Sequence, residues 1–521
     1  MRIQLIHPPA YLNPTALTAL RPSLPLGLAY IVASARKAGH DVSVIDAVGE
    51  NPTLVVREGP VARLGTATKD IVPQILPETQ VVGISAMFTY QWPVVSQLIT
   101  EIKEARPDLL VVGGGEHFTG LPDESLEGCP ADILLLGEGE ETFVSLLRRY
   151  EKFISKNKED GVDPAPHVAE WAEGLAGAAY RKDGEIVHEE RRARILEIDS
   201  IPTPAWDLFD VRGYDDNRLI NGARPGRTMP ILATRGCPYR CAFCSSPSAW
   251  TTKWIARDPK LVVDEIQSYV EEYGASNFPF QDLTAILKRN WIIDFCNELI
   301  DRNLNITWQL PTGTRCEVVD EEVATLLKKS GSLVLNFAPE SGSAKVREKI
   351  RKQMTEESLF GAVEAAVNHR LNVACFFLLG FPGDEVSDYK ETIRWAKRLA
   401  RLGVDDLAVG FFFPIPGTQL YNELKEDGHI ELNTDLILAP IFVHDRWLTE
   451  DRNFSLALSA RTLTWWRFRI VWAFYSRAVI FNPRRWARLI RNFATGYEDS
   501  KLDSFLQILK ERFITRRAVS K

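Results

Sequence analysis

The chain is 521 residues long, with 45% apolar and 25% charged residues and a formal net charge of −7. This is the balance of an ordinary globular protein, long enough for about three domains, and the uneven spread of its charge points to no particular partner. No uninterrupted apolar run reaches bilayer-spanning length. Met1–Pro9 reads as strand and loop rather than signal peptide. Seven cysteines, three of them clustered, do not make a disulfide framework, so a reducing, cytoplasmic setting is expected.

Residues 1–150 alternate short apolar strands with helical stretches. Strands are expected at Ile3–Ile6, Val42–Ile45, Val81–Ser85, Leu109–Val112 and Ile133–Leu136, with helices such as Leu26–Ala38 and Pro93–Ala105 between them. That alternation argues a doubly wound parallel sheet of Rossmann-like α/β type, which binds ligands at the carboxyl ends of its strands. Four loops fall there: His7-Pro8-Pro9, Ser85-Ala86-Met87, Gly113-Gly114-Gly115-Glu116-His117 and Gly137-Glu138-Gly139-Glu140. Glycine lets backbone approach a bulky ligand. The competing reading is that these glycines only make turns.

Residues 151–222 read as a linker. Lys152–Asp163 is charged and expected to be loose and exposed. Ala178–Arg181 and Glu185–His188 read as a hairpin around Asp183-Gly184, and Ile201–Asp207 as a proline-stiffened connector.

From 223 to 445 strands are expected at Pro230–Thr234, Asn277–Gln281, Ile306–Leu310, Leu333–Ala338, Val373–Leu379 and Leu407–Phe413. Helices fall between them at Leu261–Tyr273, Asn290–Arg302, Glu321–Ser330, Glu356–His369 and Val386–Leu402. Six such units suggest a partial (β/α)6 barrel, whose ligands gather at the carboxyl ends of the strands. After the first strand comes Arg235-Gly236-Cys237-Pro238-Tyr239-Arg240-Cys241-Ala242-Phe243-Cys244, three cysteines within eight residues. Gly236 and Pro238 put the thiols on a loop. Iron–sulfur clusters usually take four cysteines. No fourth cysteine or histidine is nearby, so one iron would stay open. The alternative is structural zinc, which prefers four closed ligands, while Cys129, Cys296, Cys316 and Cys375 are scattered.

The cysteine loop, with Phe243 just before the last cysteine, resembles the cluster motif of the radical S-adenosylmethionine (SAM) superfamily. Pro25–Ala29, Gly113–His117 and Gly137–Phe143 resemble the cobalamin-binding domain found ahead of some radical SAM cores. The resemblance implies a [4Fe-4S] cluster on Cys237, Cys241 and Cys244, SAM on its open iron, and cobalamin in the amino-terminal domain. It further implies that Phe243, Gly380 and Gly383 meet the adenine, that Glu340 and Ser341 meet the ribose and methionine part of SAM, and that Gly113, Gly114, Gly115, His117 and Glu138 bind cobalamin. An Asp-x-His-x-x-Gly motif is absent, so no histidine is expected below cobalt from that source. Glu340 has a second reading, as an acid at a helix amino terminus. Asp282 is open between a structural and a substrate-facing role, and no auxiliary cluster is expected.

Residues 446–521 form an expected helical cap. They carry five tryptophans, and from Arg461 onward 14 Lys+Arg against 4 Asp+Glu. Thr462–Phe481 reads as an amphipathic helix stopped at Asn482-Pro483, with a second helix from Arg484. A cap with solvated arginines, a membrane-surface helix and a nucleic-acid contact compete, in that order. The resemblance implies a radical SAM enzyme, foremost a methyltransferase using a 5′-deoxyadenosyl radical and methylcobalamin on an unactivated carbon. A tetrapyrrole-type oxidative cyclase is the alternative within the class, and a cobalamin sensor or carrier with a structural cluster the one outside it. Expected partners are a small-molecule or lipidic substrate and an external electron donor of flavodoxin or ferredoxin type, with peripheral membrane contact through the tail and no nucleic acid.

Overall fold

The computed structural model describes residues 1–14, 22–157, 167–481 and 483–498, together with 503, 506–507 and 509–510. The chain opens with β1 (Arg2–His7), β2 (Ala10–Leu12), α1 (Leu26–Lys37), β3 (Asp41–Asp46), β4 (Val55–Glu58) and β5 (Val61–Leu64). There follow β6 (Val81–Ser85), α2 (Trp92–Ala105), β7 (Leu110–Gly114), β8 (Ile133–Leu135), α3 (Gly139–Asn157), β9 (Ala178–Lys182) and β10 (Glu185–His188). One seven-stranded sheet runs β10-β9-β8-β7-β6-β1-β3. Its five strands from β8 to β3 are parallel. Ile3, Leu5, Ile6, Val81, Val82, Ile84 and Leu110–Val112 are buried, as strands covered on both faces require.

Three features of this half depart from the sequence expectation. The hairpin β9–β10 pairs antiparallel with β8 and so extends the first sheet. Lys152 to Asn157, expected to be loose, continue α3, and residues 158–163 of that stretch lie outside the described residues. Phe153 and Ile154 pack against the core at helical spacing from Tyr150, which charge content alone conceals. A small antiparallel sheet, β2-β5-β4, was also not anticipated.

The second half contains β11 (Thr234–Arg235), β12 (Ile255–Ala256), α4 (Pro259–Tyr273), β13 (Asn277–Pro279), α5 (Arg289–Asp301), β14 (Thr307–Gln309) and α6 (Glu321–Lys329). It continues with β15 (Val334–Glu340), α7 (Glu356–Asn368), β16 (Asn372–Leu379), α8 (Val386–Leu402) and β17 (Asp406–Phe411). β13–β14 and β15–β16–β17 pair in parallel. Single parallel bridges at Trp308–Ser332 and Thr314–Phe337 join the two groups. This is an open, partial barrel. Its expected first strand, Pro230–Thr234, is not regular: the region reaches β13 only through bridges Thr228–Asn277 and Ile231–Phe280. Pro230 has no N–H to give, and the amides of Ala233 and Thr234 go to the Asp282 carboxylate instead.

The connector is stapled to both halves. The Ala205 amide donates to the Ala29 carbonyl at 3.2 Å, and buried Trp206 donates through Nε1 to the Tyr269 hydroxyl at 3.0 Å. The chain closes with α9 (Ala460–Phe481) and α10 (Pro483–Thr495). Leu463, Trp466, Ile470 and Phe474 of α9 are buried in the same core as the α8 residues Tyr389, Ile393 and Ala396.

Candidate active site

The cysteine loop is pinned almost residue by residue. At its entrance Thr234 donates through both its amide and its hydroxyl to Asp282 Oδ1, the hydroxyl at 2.6 Å. Asp282 is wholly buried, and burial pushes its carboxyl up to about 6 against the hydrogen bonds it accepts. Gly236 turns with φ +81°, and a Cβ there would meet the Lys253 carbonyl oxygen at 2.2 Å, so only glycine fits. The Arg315 guanidinium lies 3.7 Å from the Tyr239 ring centre. The Ala242 amide donates to the Ile350 carbonyl, and the Ala242 carbonyl accepts from the Leu420 amide, both at 2.9 Å.

The three thiols stay half-buried on this held loop. Burial raises the Cys241 thiol and pushes Cys244 up to about 12. Metal coordination deprotonates a thiol outright, so these cysteines would bind a cluster as thiolates. Among the described residues no group of three or more His, Cys, Asp or Glu side chains, the three loop cysteines included, is gathered to hold a metal ion. Structural zinc prefers four closed ligands. A loop carrying three thiol donors and no fourth fits an iron–sulfur cube with one open corner.

Residues expected around SAM come to the same end of the barrel. Phe243 lies 5.6 Å from Phe381, centre to centre, inside the Gly380–Gly383 turn. Phe381 in turn stacks toward Phe412 at 4.9 Å. The Gly380 amide is held by Asp384 Oδ2 at 3.2 Å and the Tyr389 hydroxyl at 3.1 Å. Glu340 ends β15 at a break in register with φ +63°. That conformation is costly for a residue with a side chain and clusters at functional sites. Its buried carboxyl is raised by desolvation in spite of Lys352, whose Nζ donates to it at 3.2 Å. Lys352 and Glu340 both act electrostatically on Cys241, so cluster loop and β15 end share one locality. The Ser341 hydroxyl accepts from the Ser343 amide at 3.2 Å.

In the amino-terminal domain the glycines of the third loop separate. A Cβ on Gly113 would strike Leu134 at 2.7 Å and Phe118 at 2.8 Å, and one on Gly115 the Ala86 carbonyl oxygen at 2.5 Å. These two serve packing. A Cβ on Gly114 would meet nothing within 4 Å, which leaves open space at a strand end and fits a large planar cofactor. His117 is 2% exposed, stacked on Trp92 at 4.6 Å, with Nε2 3.3 Å from Ser125 Oγ. Burial lowers its pKa to about 3.

Glu138, expected beside cobalamin, is occupied otherwise. Its Oε1 accepts from Arg235 at 3.0 Å, and its Oε2 from Arg194 at 2.7 Å and the Ile195 amide at 3.0 Å. Glu140 takes the other Arg235 nitrogen at 2.5 Å. Glu116 accepts from Trp250 Nε1 at 2.9 Å, just past the cysteine loop. Both acid-bearing glycine loops of the first sheet are therefore clamped onto the chain flanking the cysteines. Sequence reading missed Arg235 and Trp250 as fasteners. It also missed a buried trio at the ends of β1 and β3: His7 Nδ1 lies 2.8 Å from Asp46 Oδ1, and the Tyr214 hydroxyl donates to the same oxygen at 2.9 Å. Burial pushes the Asp46 carboxyl up, but His7 and the donors around it outweigh that and hold it below the usual range.

Comparison with known proteins concerns the two domains and their fold. The B12 binding domain family matches residues 14–147 and the radical SAM superfamily residues 231–396. The chain is 29% identical over 400 residues to an uncharacterized methyltransferase of Pyrococcus horikoshii, covering 76% of this chain and 77% of that protein. It is 28% identical over 431 residues to the anaerobic magnesium-protoporphyrin IX monomethyl ester cyclase of Cereibacter sphaeroides, covering 82% and 64%. The solved structure of the radical SAM methyltransferase TsrM from Kitasatospora setae, with cobalamin and a [4Fe-4S] cluster bound, superposes with TM-score 0.61 at 19% identity, covering 82% of this chain and 78% of that one. The chain thus carries a B12-binding domain followed by a radical SAM domain, the two domains of cobalamin-dependent radical SAM enzymes.

Proposed function

We propose that this enzyme transfers a methyl group to an unactivated carbon of a small-molecule or lipidic substrate, drawing electrons from an external flavodoxin- or ferredoxin-type donor. The observation that carries the reading is the clamp. Glu116, Glu138 and Glu140 of the first sheet's loops are tied to Trp250 and Arg235 on either side of the cysteine loop. That tie sets the face where cobalamin would lie against the place where the cluster would lie.

When bound, the cluster and SAM would supply radical chemistry, and cobalamin a transferable methyl group. The chain's own residues supply position. Cys237, Cys241 and Cys244 would hold three irons and leave the fourth to SAM. Glu340 would accept the ribose hydroxyls, with Lys352 fixing its orientation, and Ser341 would meet the methionine part. The Gly380–Gly383 turn and the backbone at Phe243 would admit the adenine. Gly114 would let backbone approach the corrin, and Asp282 would hold the cluster loop in place without touching substrate.

The test is anaerobic reconstitution, incubation with methyl-labelled SAM and cell extract, and mass spectrometry of whatever gains the label. Methylated product with S-adenosylhomocysteine is expected. The similarity to a cyclase over 82% of the chain favours one second reading, oxidative ring closure. It predicts 5′-deoxyadenosine without S-adenosylhomocysteine. Changing Cys237, Cys241 and Cys244 to Ala should abolish the brown chromophore and all SAM cleavage, and surviving cluster absorbance would refute this ligand set.

A further inference from the structure

Helix α9 is apolar on two sides. One side is buried in the barrel wall through Leu463, Trp466, Ile470, Phe474 and Ala478. The other carries Trp465, Phe468 and Trp472 at 53%, 42% and 74% exposure. They stand at i, i+3 and i+7, one outward stripe. Val479 continues it at 49% and Ile480 flanks it at 69%, and Trp447 packs edge-on to Phe468 at 5.4 Å. Helix α10 repeats the pattern with Trp486, Ile490 and Phe493, of which Ile490 is 69% exposed. Such a run far exceeds the scattered apolar residues of an ordinary surface.

Charge decides the occupant. Residues 461–497 carry eight arginines and no Lys, Asp or Glu. Arg461, Arg469 and Arg491 are exposed among the aromatics, and the Arg469 guanidinium lies 4.5 Å from the Trp465 ring centre. A two-fold dimer through this face would set arginines against arginines with no acid from the same helices to pair them. An anionic bilayer surface offers acyl chains to the indoles and phosphates to the guanidiniums at one depth. Among the described residues no helix is long and apolar enough to cross a membrane.

We propose that the α9–α10 face is a monotopic docking surface for anionic lipid. The surface is separate from the cysteine loop, so the proposal stands or falls independently of the reaction assigned to the enzyme. The test is flotation of the full-length protein with phosphatidylcholine vesicles and with vesicles that also contain phosphatidylglycerol. Binding is expected only with phosphatidylglycerol, weakened by salt, and reduced on the order of tenfold by Trp472→Ser with Ile480→Ser. Both side chains are exposed, so circular dichroism of that variant should match wild type. A second variant, Arg461→Gln with Arg469→Gln, should lose the preference for anionic lipid. The proposal is overturned by no binding to either vesicle, by binding that both variants retain, by self-association that the Trp472 and Ile480 changes abolish, or by retention on nucleic acid in place of vesicles.

Discussion

Arg235 and Glu138 meet across 3.0 Å, 97 residues apart in sequence and each only 4% exposed at the side chain. The arginine opens the cysteine loop of the barrel, and the glutamate sits in the loop after β8 of the first sheet. Removing one partner of such a pair strands a buried charge and typically costs about 3–5 kcal/mol. Arg235→Ala should therefore lower the thermal unfolding midpoint and reduce iron retained after reconstitution. Arg235→Lys should fall between, because an ammonium cannot span both Glu138 and Glu140 as the guanidinium fork does. Iron content and midpoint unchanged in Arg235→Ala would remove the clamp from the argument.

The adjacent glycines of the third loop should behave oppositely. Gly115, at φ +118° against the Ala86 carbonyl, is needed by the fold, so Gly115→Ala should lower stability with or without cobalamin. Gly114 faces open space, so Gly114→Val should leave the unfolding free energy of the cofactor-free protein within about 0.5 kcal/mol of wild type and weaken cobalamin binding at least tenfold in an absorbance titration. Equal effects on stability would mean that Gly114 is a turn residue and nothing more.

Asp282 supplies a pH test. Its carboxyl is raised to about 6, above the ordinary value near 4. A raised carboxyl contributes stability below its unfolded value and loses that contribution as pH rises through its folded value. Asp282→Asn removes this titration. Measured against wild type, the variant should gain stability as pH climbs from about 4 to about 6 and show a constant offset above. A parallel pair of pH profiles across that window would contradict the burial of an ionisable group here.

Glu340 and Lys352 can be separated by substrate. Glu340→Gln keeps shape but weakens acceptance of the ribose hydroxyls, so SAM affinity should fall about tenfold, the range of a charged hydrogen bond, with iron content unchanged. Lys352→Met should act on both, since Lys352 influences Cys241 as well as Glu340. Isothermal titration with SAM and iron analysis on the same preparations distinguish the outcomes.

Tyr214 ties the linker to the carboxyl ends of β1 and β3. Tyr214→Phe removes one donor from Asp46 Oδ1 and should destabilise by about 1–3 kcal/mol, read by denaturant unfolding. Because Asp46 is held below the usual carboxylate range by His7 and its donors, the contribution is present above that range and lost as pH falls through it to the lower folded value, so the difference between wild type and variant should narrow in acid.

Local pattern carried much of this protein. The strand Val81–Ser85 and the helix Val386–Leu402 lie where periodicity alone sets them, because apolar spacing reports which face of an element is buried. The cysteine spacing, likewise local, was enough to point to an iron–sulfur loop. What the sequence could not declare were relationships between distant segments. Glu138 looked like a cofactor residue and is the anchor of Arg235 and Arg194. Pro230–Thr234 looked like a strand, yet its last amides are taken by Asp282 from 48 residues away. Thr462–Phe481 looked one-sided, yet tertiary packing uses one apolar face and leaves a second outward. Hydrogen-bond capacity and burial are settled by whichever partner the fold brings near, and a carboxylate has no way to show in sequence which cation will reach it.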